Sequence, residues 1–174
     1  MMLGVQERAR RIGTFRFLEV RLMETAAAWT PTTPEMEAKV MFGRHIWDFA
    51  QHADALGKRM FELRQPPQHS VPPSVAYAAL LDELLAVDDT AGRLAALYDV
   101  LLPGVQRRYE AYVAGVDPVV DAPSLVVIER ILLDVLRQRA DVAALRGELG
   151  LARPAFHPLA ALEGSLELLG APTP

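Results

Sequence analysis

A chain of 174 residues with 51% hydrophobic and 23% charged side chains is sized for one domain that closes its own core. A formal net charge of -4 and the absence of cysteine exclude a strongly basic nucleic-acid or anionic-lipid binder, a disulfide scaffold, thiolate metal sites and cysteine nucleophiles. No apolar run has the length of a membrane span, and the polar start at Gln6-Glu7-Arg8 lacks the apolar stretch of a secretory leader, so the reading is a soluble, cytoplasmic protein.

The long segments carry helical rather than strand period. The first helix spans about Val5 to Trp29, with Ile12, Phe15, Leu18, Leu22, Met23 and Ala26 on one stripe. Thr30-Pro31-Thr32-Thr33-Pro34 makes a tight turn. Thr33 is placed to cap the second helix, with Pro34 at its first position and Glu35 and Glu37 near its positive end. That helix, about Pro34 to Arg64, is roughly 45 Å long at 1.5 Å per residue. The proline-rich stretch from Gln65 to Pro73 stops it. A shorter helix follows over about Ser74 to Val87. The third long helix covers about Thr90 to Ala114, with a kink expected at Pro103-Gly104. After a loop over Gly115 to Pro123, the fourth covers about Ser124 to Arg139, capped by Asp121 or Ser124. Asp141 to Gly150 and Leu159 to Leu169 read as short helices wrapping the outside, ahead of a tail at Ala171-Pro172-Thr173-Pro174. Short connections make the first and second helices antiparallel neighbours, and likewise the third and fourth. The roughly 25 residues between second and third leave room for a long crossover.

Ionisable side chains interrupt these apolar stripes. At about 100° per residue, His45, Asp48 and His52 share a face with Met41, Phe49 and Leu56. Glu19 sits among Phe15, Leu22, Met23 and Ala26, and Glu129 among Leu125, Leu132, Leu133 and Leu136. On the third helix the stripe is Leu94, Leu97, Leu101, Val105 and Tyr112, with Arg108 inward and Glu110 pointing away. Counting from the turn places Glu19 level with His45, and Asp48 and His52 further down. A buried charge must pair, bind a metal or meet a polar ligand, so Glu19, His45, Asp48, His52 and Glu129 are the candidate site.

His45-Ile-Trp-Asp-Phe-Ala-Gln-His52-Ala-Asp-Ala-Leu-Gly-Lys-Arg59 resembles the second helix of ferritin-like proteins, and the stretch from Asp121 to Asp134 resembles the entry to their fourth. With the first helix the resemblance covers roughly residues 8–140. It implies an all-α, ferritin-like four-helix bundle with a crossover helix and short C-terminal helices. Dimetal members of that fold carry Glu on helix 1, Glu-x-x-His on helix 2, Glu on helix 3 and Glu-x-x-His on helix 4. Glu19 matches the first and His52 the second-helix histidine, with Phe49 in place of its paired Glu and Asp48 as a neighbouring substitute. Helix 3 offers no inward carboxylate. On helix 4, Glu129 is followed by Leu132 in the histidine's place; a register one turn later gives Asp134 and Arg137, again without the histidine. The dimetal set is incomplete.

Three readings of the cluster follow. His45 and His52 can form a hydrogen-bonded core pair, with Asp48 accepting from both. Some of Glu19, His45, Asp48, His52 and Glu129 can bind iron, manganese or zinc, and oxidative chemistry is then what the resemblance implies. Without metal, His52 or His45 can transfer protons with Asp48 orienting it, in an isomerisation, cyclisation or elimination. Tyr98, Tyr112 and Arg108 are candidate contacts for a small organic molecule. Arg8, Arg59 or Arg108 can instead neutralise Glu19 and Glu129 in buried ion pairs. His69 and His157 fall in proline-rich loops and read as surface, and Arg10-Arg11 and Arg107-Arg108 are too sparse for a nucleic-acid site. There is no Gly-rich phosphate loop, nucleophile elbow or paired-histidine protease motif. Trp47 and Phe61 lie on the outer side of the second helix, where the C-terminal helices or a second subunit of a homodimer can meet them. A small-molecule enzyme with an interior site is the leading expectation; a non-catalytic, degenerate ferritin-like scaffold or binding module is the alternative.

Overall fold

A computed structural model describes residues 3–154, and among these all regular secondary structure is helical, with no strand. The helix expected over Leu159 to Leu169, the tail and His157 lie outside the described residues. Helix α1 spans Val5–Trp29, α2 Met36–Glu62, α3 Val75–Glu83, α4 Thr90–Leu94, α5 Leu102–Gly115 and α6 Ala122–Leu149; a π-helical stretch, Ala95–Leu101, joins α4 to α5.

α1 forms because Ala9, Ile12, Phe15, Leu18, Leu22, Ala26 and Trp29 recur every three or four residues, and all are buried. A short 3-10 turn, Thr30–Thr32, ends it. Thr33 does not cap α2: its hydroxyl donates back to the Trp29 carbonyl at 2.9 Å, which closes the end of α1 instead. Glu35 takes the N-cap position of α2, without a side-chain cap bond. Arg93 fixes this corner, donating to the Thr33 and Thr32 hydroxyls and to the carbonyls of Trp29 and Val87.

α2 ends in a Schellman motif. The Gln65 N–H donates to the Met60 carbonyl and the Arg64 N–H to that of Phe61, with Arg64 in the left-handed region at φ 66°. The proline-rich segment then turns back along α1. The Val71 N–H bonds the Gly13 carbonyl, and Arg21 pairs with Asp82 of α3 further up. The sequence expects a kink at Pro103; the irregularity falls one turn earlier, in the π stretch. Ala95 to Tyr98 of this stretch are all buried, as is Leu94 before it. Pro103 follows two residues beyond the stretch, inside one continuous helical rod, where proline disturbs the turn that precedes it.

The expected break after Arg139 is also absent. α6 runs unbroken from Ala122 to Leu149 and ends at Gly150 in the left-handed conformation, φ 64°. It starts two residues earlier than expected, so Pro123 sits in its first turn; Asp121 takes the N-cap position and accepts from the Ser124 hydroxyl, without a side-chain bond to a backbone N–H.

Cross-contacts give the helix directions. Gly13 faces Met60, Gly57 faces Arg16, and Glu19 meets His52, so α1 and α2 are antiparallel. Asp141, Asp134 and Asp121 of α6 and its N-cap meet His45, His52 and Arg59 in turn, so α6 is antiparallel to α2. Thr90 meets Glu35 and Tyr98 meets His45, so the α4–α5 rod runs parallel to α2. Two neighbouring rods that run the same way need a chain that returns the full length between them, and residues 63–89 supply it alongside α1.

Candidate functional site

The structure places Glu19 and His45 at 0% exposure and His52 at 4%. Glu129 is exposed, contrary to expectation. The cause is the composition of α6, which is apolar on every side near its start, so periodicity does not select a face there. The buried stripe is Leu125, Ile128, Ile131, Val135, Gln138, Val142 and Leu145, whereas Leu133 and Leu136 face outward. That rotation turns Glu129 out and brings Asp134 and Asp141 towards α2.

Glu19 meets His52 rather than His45. In a helix the side chains lean towards the N-terminus. On α1 this tilts Glu19 away from the turn, and on α2 it tilts His52 towards it, so partners lie lower on α2 than a count from the turn indicates. Glu19 accepts a 2.5 Å hydrogen bond from the Tyr109 hydroxyl through Oε1, and faces His52 Nδ1 at 3.1 Å through Oε2. On the other edge of the ring, His52 Nε2 lies 3.1 Å from Asp134 Oδ2. Each long rod therefore contributes one group: Glu19, His52, Tyr109 and Asp134.

Two turns away on α2, His45 repeats the pattern. Its Nδ1 accepts from the Tyr98 hydroxyl at 2.7 Å while its Nε2–H donates to Asp141 Oδ2 at 3.1 Å. Asp48 accepts from neither histidine. It takes hydrogen bonds from Arg137 Nη2 at 2.7 Å and Gln138 Nε2 at 3.1 Å. Arg137 connects the two stations, because it also bonds Asp134 at 2.9 Å and lies 3.6 Å from Asp141. One guanidinium thus faces three carboxylates, all partly exposed along the α2–α6 seam.

The two imidazoles are driven in opposite directions. Burial works against a charged ring in both. At His52 the charge and hydrogen bond of Glu19, with the hydrogen bond of Asp134, outweigh burial and raise the pKa above 6.5. At His45 burial dominates the Asp141 hydrogen bond and lowers it. Burial also pushes the hydroxyls of Tyr98 and Tyr109 well above 10. Asp134 is held below its usual range because bonds from Arg137 and His52 outweigh its burial.

The other expected residues lie elsewhere. Tyr112 donates to Asp121 at 2.5 Å, in a separate buried cluster with Arg59 and Ser124; Arg8 reaches the same carboxylate. Arg8 and Arg59 therefore neutralise Asp121, not Glu19 or Glu129. Arg108 lies over the Tyr77 ring, 5.6 Å from its centroid. Tyr109, Asp134, Gln138 and Asp141 carry the network and were not foreseen as its members. Only the Asp134-x-x-Arg137 spacing pointed towards any of them.

Metal ligands must aim at one point. Here Glu19 and Asp134 approach opposite edges of the His52 ring, so the three groups address one another. Among the described residues no three His, Asp or Glu side chains converge as a metal-ligand group. A groove of about 350 Å³ between α2 and α6 opens beside Asp141, with Met36, Val40 and Arg44 on its walls. Compared with known proteins, the chain matches no family model, no curated protein and no solved structure.

Proposed function

We propose that this chain is a degenerate ferritin-like module, a non-catalytic scaffold or binding unit whose interior holds a closed network in place of a dimetal centre. The up, down, down, up order of the rods, with its returning crossover beside α1, supports the ferritin-like reading. So do the positions of the interior groups. In the register that starts at Asp134, one group comes from each rod, yet Phe49, Tyr109 and Arg137 stand where the resemblance calls for Glu, Glu and His.

The observation that carries the proposal is Arg137. Its guanidinium is bound to Asp48 and Asp134 and lies beside Asp141, so a fixed cation of the protein neutralises carboxylates that a metal ion would otherwise draw together. The ring nitrogens of His45 and His52 are likewise all taken by protein partners. Metal analysis of protein purified without a chelating tag tests this. Far less than one metal per chain, and a Tm indifferent to EDTA, are the expected results. Stoichiometric iron, manganese or zinc that disappears in His52→Ala overturns the proposal.

A second reading, as a metal-free enzyme, rests on Asp141. Its carboxylate lines the groove and bonds His45, which in turn accepts from Tyr98. A small organic molecule in that groove would touch the outer end of a relay able to pass a proton inward. Chemical-shift changes confined to Arg44, Asp141 and His45 on adding a small-molecule library would favour this reading over the scaffold.

A further inference from the structure

We infer that the groove between the end of α2 and the chain that returns from it binds a small aromatic monocarboxylate, held by Arg16. The groove has a volume of about 540 Å³, and Arg16, Ala53, Gly57, Phe61, Pro67 and Gln68 form most of its wall. It shares no residue with the groove beside Asp141 or with the interior network. Its test therefore does not depend on how that network is read.

Arg16 supplies the anchor. Arg8, Arg11, Arg21, Arg59 and Arg146 are likewise drawn out of full solvent, and each faces a carboxylate. Arg93 has no carboxylate, but all three of its guanidinium nitrogens bond carbonyl or hydroxyl oxygens. Arg16 has neither arrangement among the described residues. Only its Nη1 is bonded, to the Gln68 carbonyl at 3.2 Å and the Ser70 hydroxyl at 2.5 Å. Nε is buried without a partner. Gly57 admits the group closely, since a Cβ there would lie 3.4 Å from Nε and 3.1 Å from the Pro67 carbonyl. The guanidinium is thus held in place before any ligand arrives, with Nη2 left to donate, and a fixed donor loses little side-chain freedom on binding.

The charges around the groove set the charge of the guest. Lys58 pairs with Asp54 at 2.6 Å and Glu62 with Arg59 at 2.7 Å, so the positive charge of Arg16 is left over. One carboxylate balances it. A phosphate dianion would bring charge in excess towards Asp54 and Glu62. The walls select the body of the guest. Phe61 is 70% exposed, and with Ala53, Gly57 and Pro67 it forms an apolar lining next to a cation. A flat ring carrying the carboxylate covers that lining and lies against Phe61.

Titration of the labelled full chain with sodium phenylacetate, followed by amide chemical shifts, is the experiment. Saturable shifts at Gly57, Phe61 and Gln68 are expected, with a dissociation constant of about 1 mM or below. Phenylacetamide, which keeps the shape and lacks the charge, should bind the same protein at least about tenfold more weakly. Arg16→Gln should weaken the carboxylate by a similar factor. Because that variant also loses bonds to the returning chain, Phe61→Ser is the companion: its side chain is exposed, so binding should fall several-fold with the circular dichroism unchanged. The inference is overturned by any of four results: no saturable shift up to about 20 mM phenylacetate, equal binding of the amide, a Phe61→Ser variant that binds like the parent, or shifts centred on Arg44 and Asp141 instead. Saturable binding of inorganic phosphate at the same amides would overturn the choice of a monoanion.

Discussion

His45 and His52 sit seven residues apart on one helix, yet their protonation affects folding with opposite sign. The folded state raises the His52 pKa, so its stabilising contribution is complete below about 6.5 and is lost as the pH climbs through the raised value. The folded state lowers that of His45, so its contribution is complete above about 6.5 and is lost as the pH falls through the depressed value. His52→Gln is therefore expected to lower Tm most near pH 6 and progressively less as the pH rises. His45→Gln should show the reverse, and thermal melts across this range compare the two. Tyr109→Phe removes a donor from fully buried Glu19 and should cost about 1–3 kcal/mol in chemical denaturation. At this scale, burial of Glu19, His45 and His52 was legible, because each interrupts an otherwise clear apolar stripe. Their partners were not, since pairing across helices depends on side-chain tilt and on the rotation of α6.

The helices themselves test how local chemistry sets boundaries. Arg64 occupies the left-handed position that closes α2, a conformation costing a residue with a Cβ roughly 1 kcal/mol. Arg64→Gly is expected to stabilise the protein by about 0.5–1 kcal/mol, measured by urea unfolding. At the start of α4, Asp89 caps the Gly92 N–H at 2.7 Å, and a Cβ on Gly92 would come within 2.6 Å of the capping carboxylate. Gly92→Ala should therefore lose the cap and cost about 1–2 kcal/mol in spite of alanine's better propensity, and the same unfolding assay would show it. α1 and α2 were readable to within two residues because one face of each is apolar, and proline punctuates the end of α1 and both ends of α2. α6 was not, since Val126, Leu133 and Leu136 offer a rival apolar face and no breaker stands at Ala140. The π stretch as such was not read from the sequence, although Pro103, two residues beyond it, marked this rod for an irregularity.

At the level of the molecule, the all-helical architecture follows from the hydrophobic period, and the long return between α2 and α4 from the connection lengths. The outward placement of Trp47 and Phe61 on α2 was legible too, and both are mostly exposed among the described residues. The return segment itself has a practical consequence. Arg64 to His69 is largely exposed, and on either side of it the chain forms an antiparallel hairpin, α1 with α2 and α5 with α6. The halves are held to each other by Glu19 with Tyr109, His52 with Asp134, and Arg93 with the corner after α1. Brief trypsin treatment, cutting after Arg64, should thus yield two fragments that elute together under native conditions and separate only in denaturant. Expressed as two genes divided at that point, the protein should reassemble, which would make it a ready split reporter.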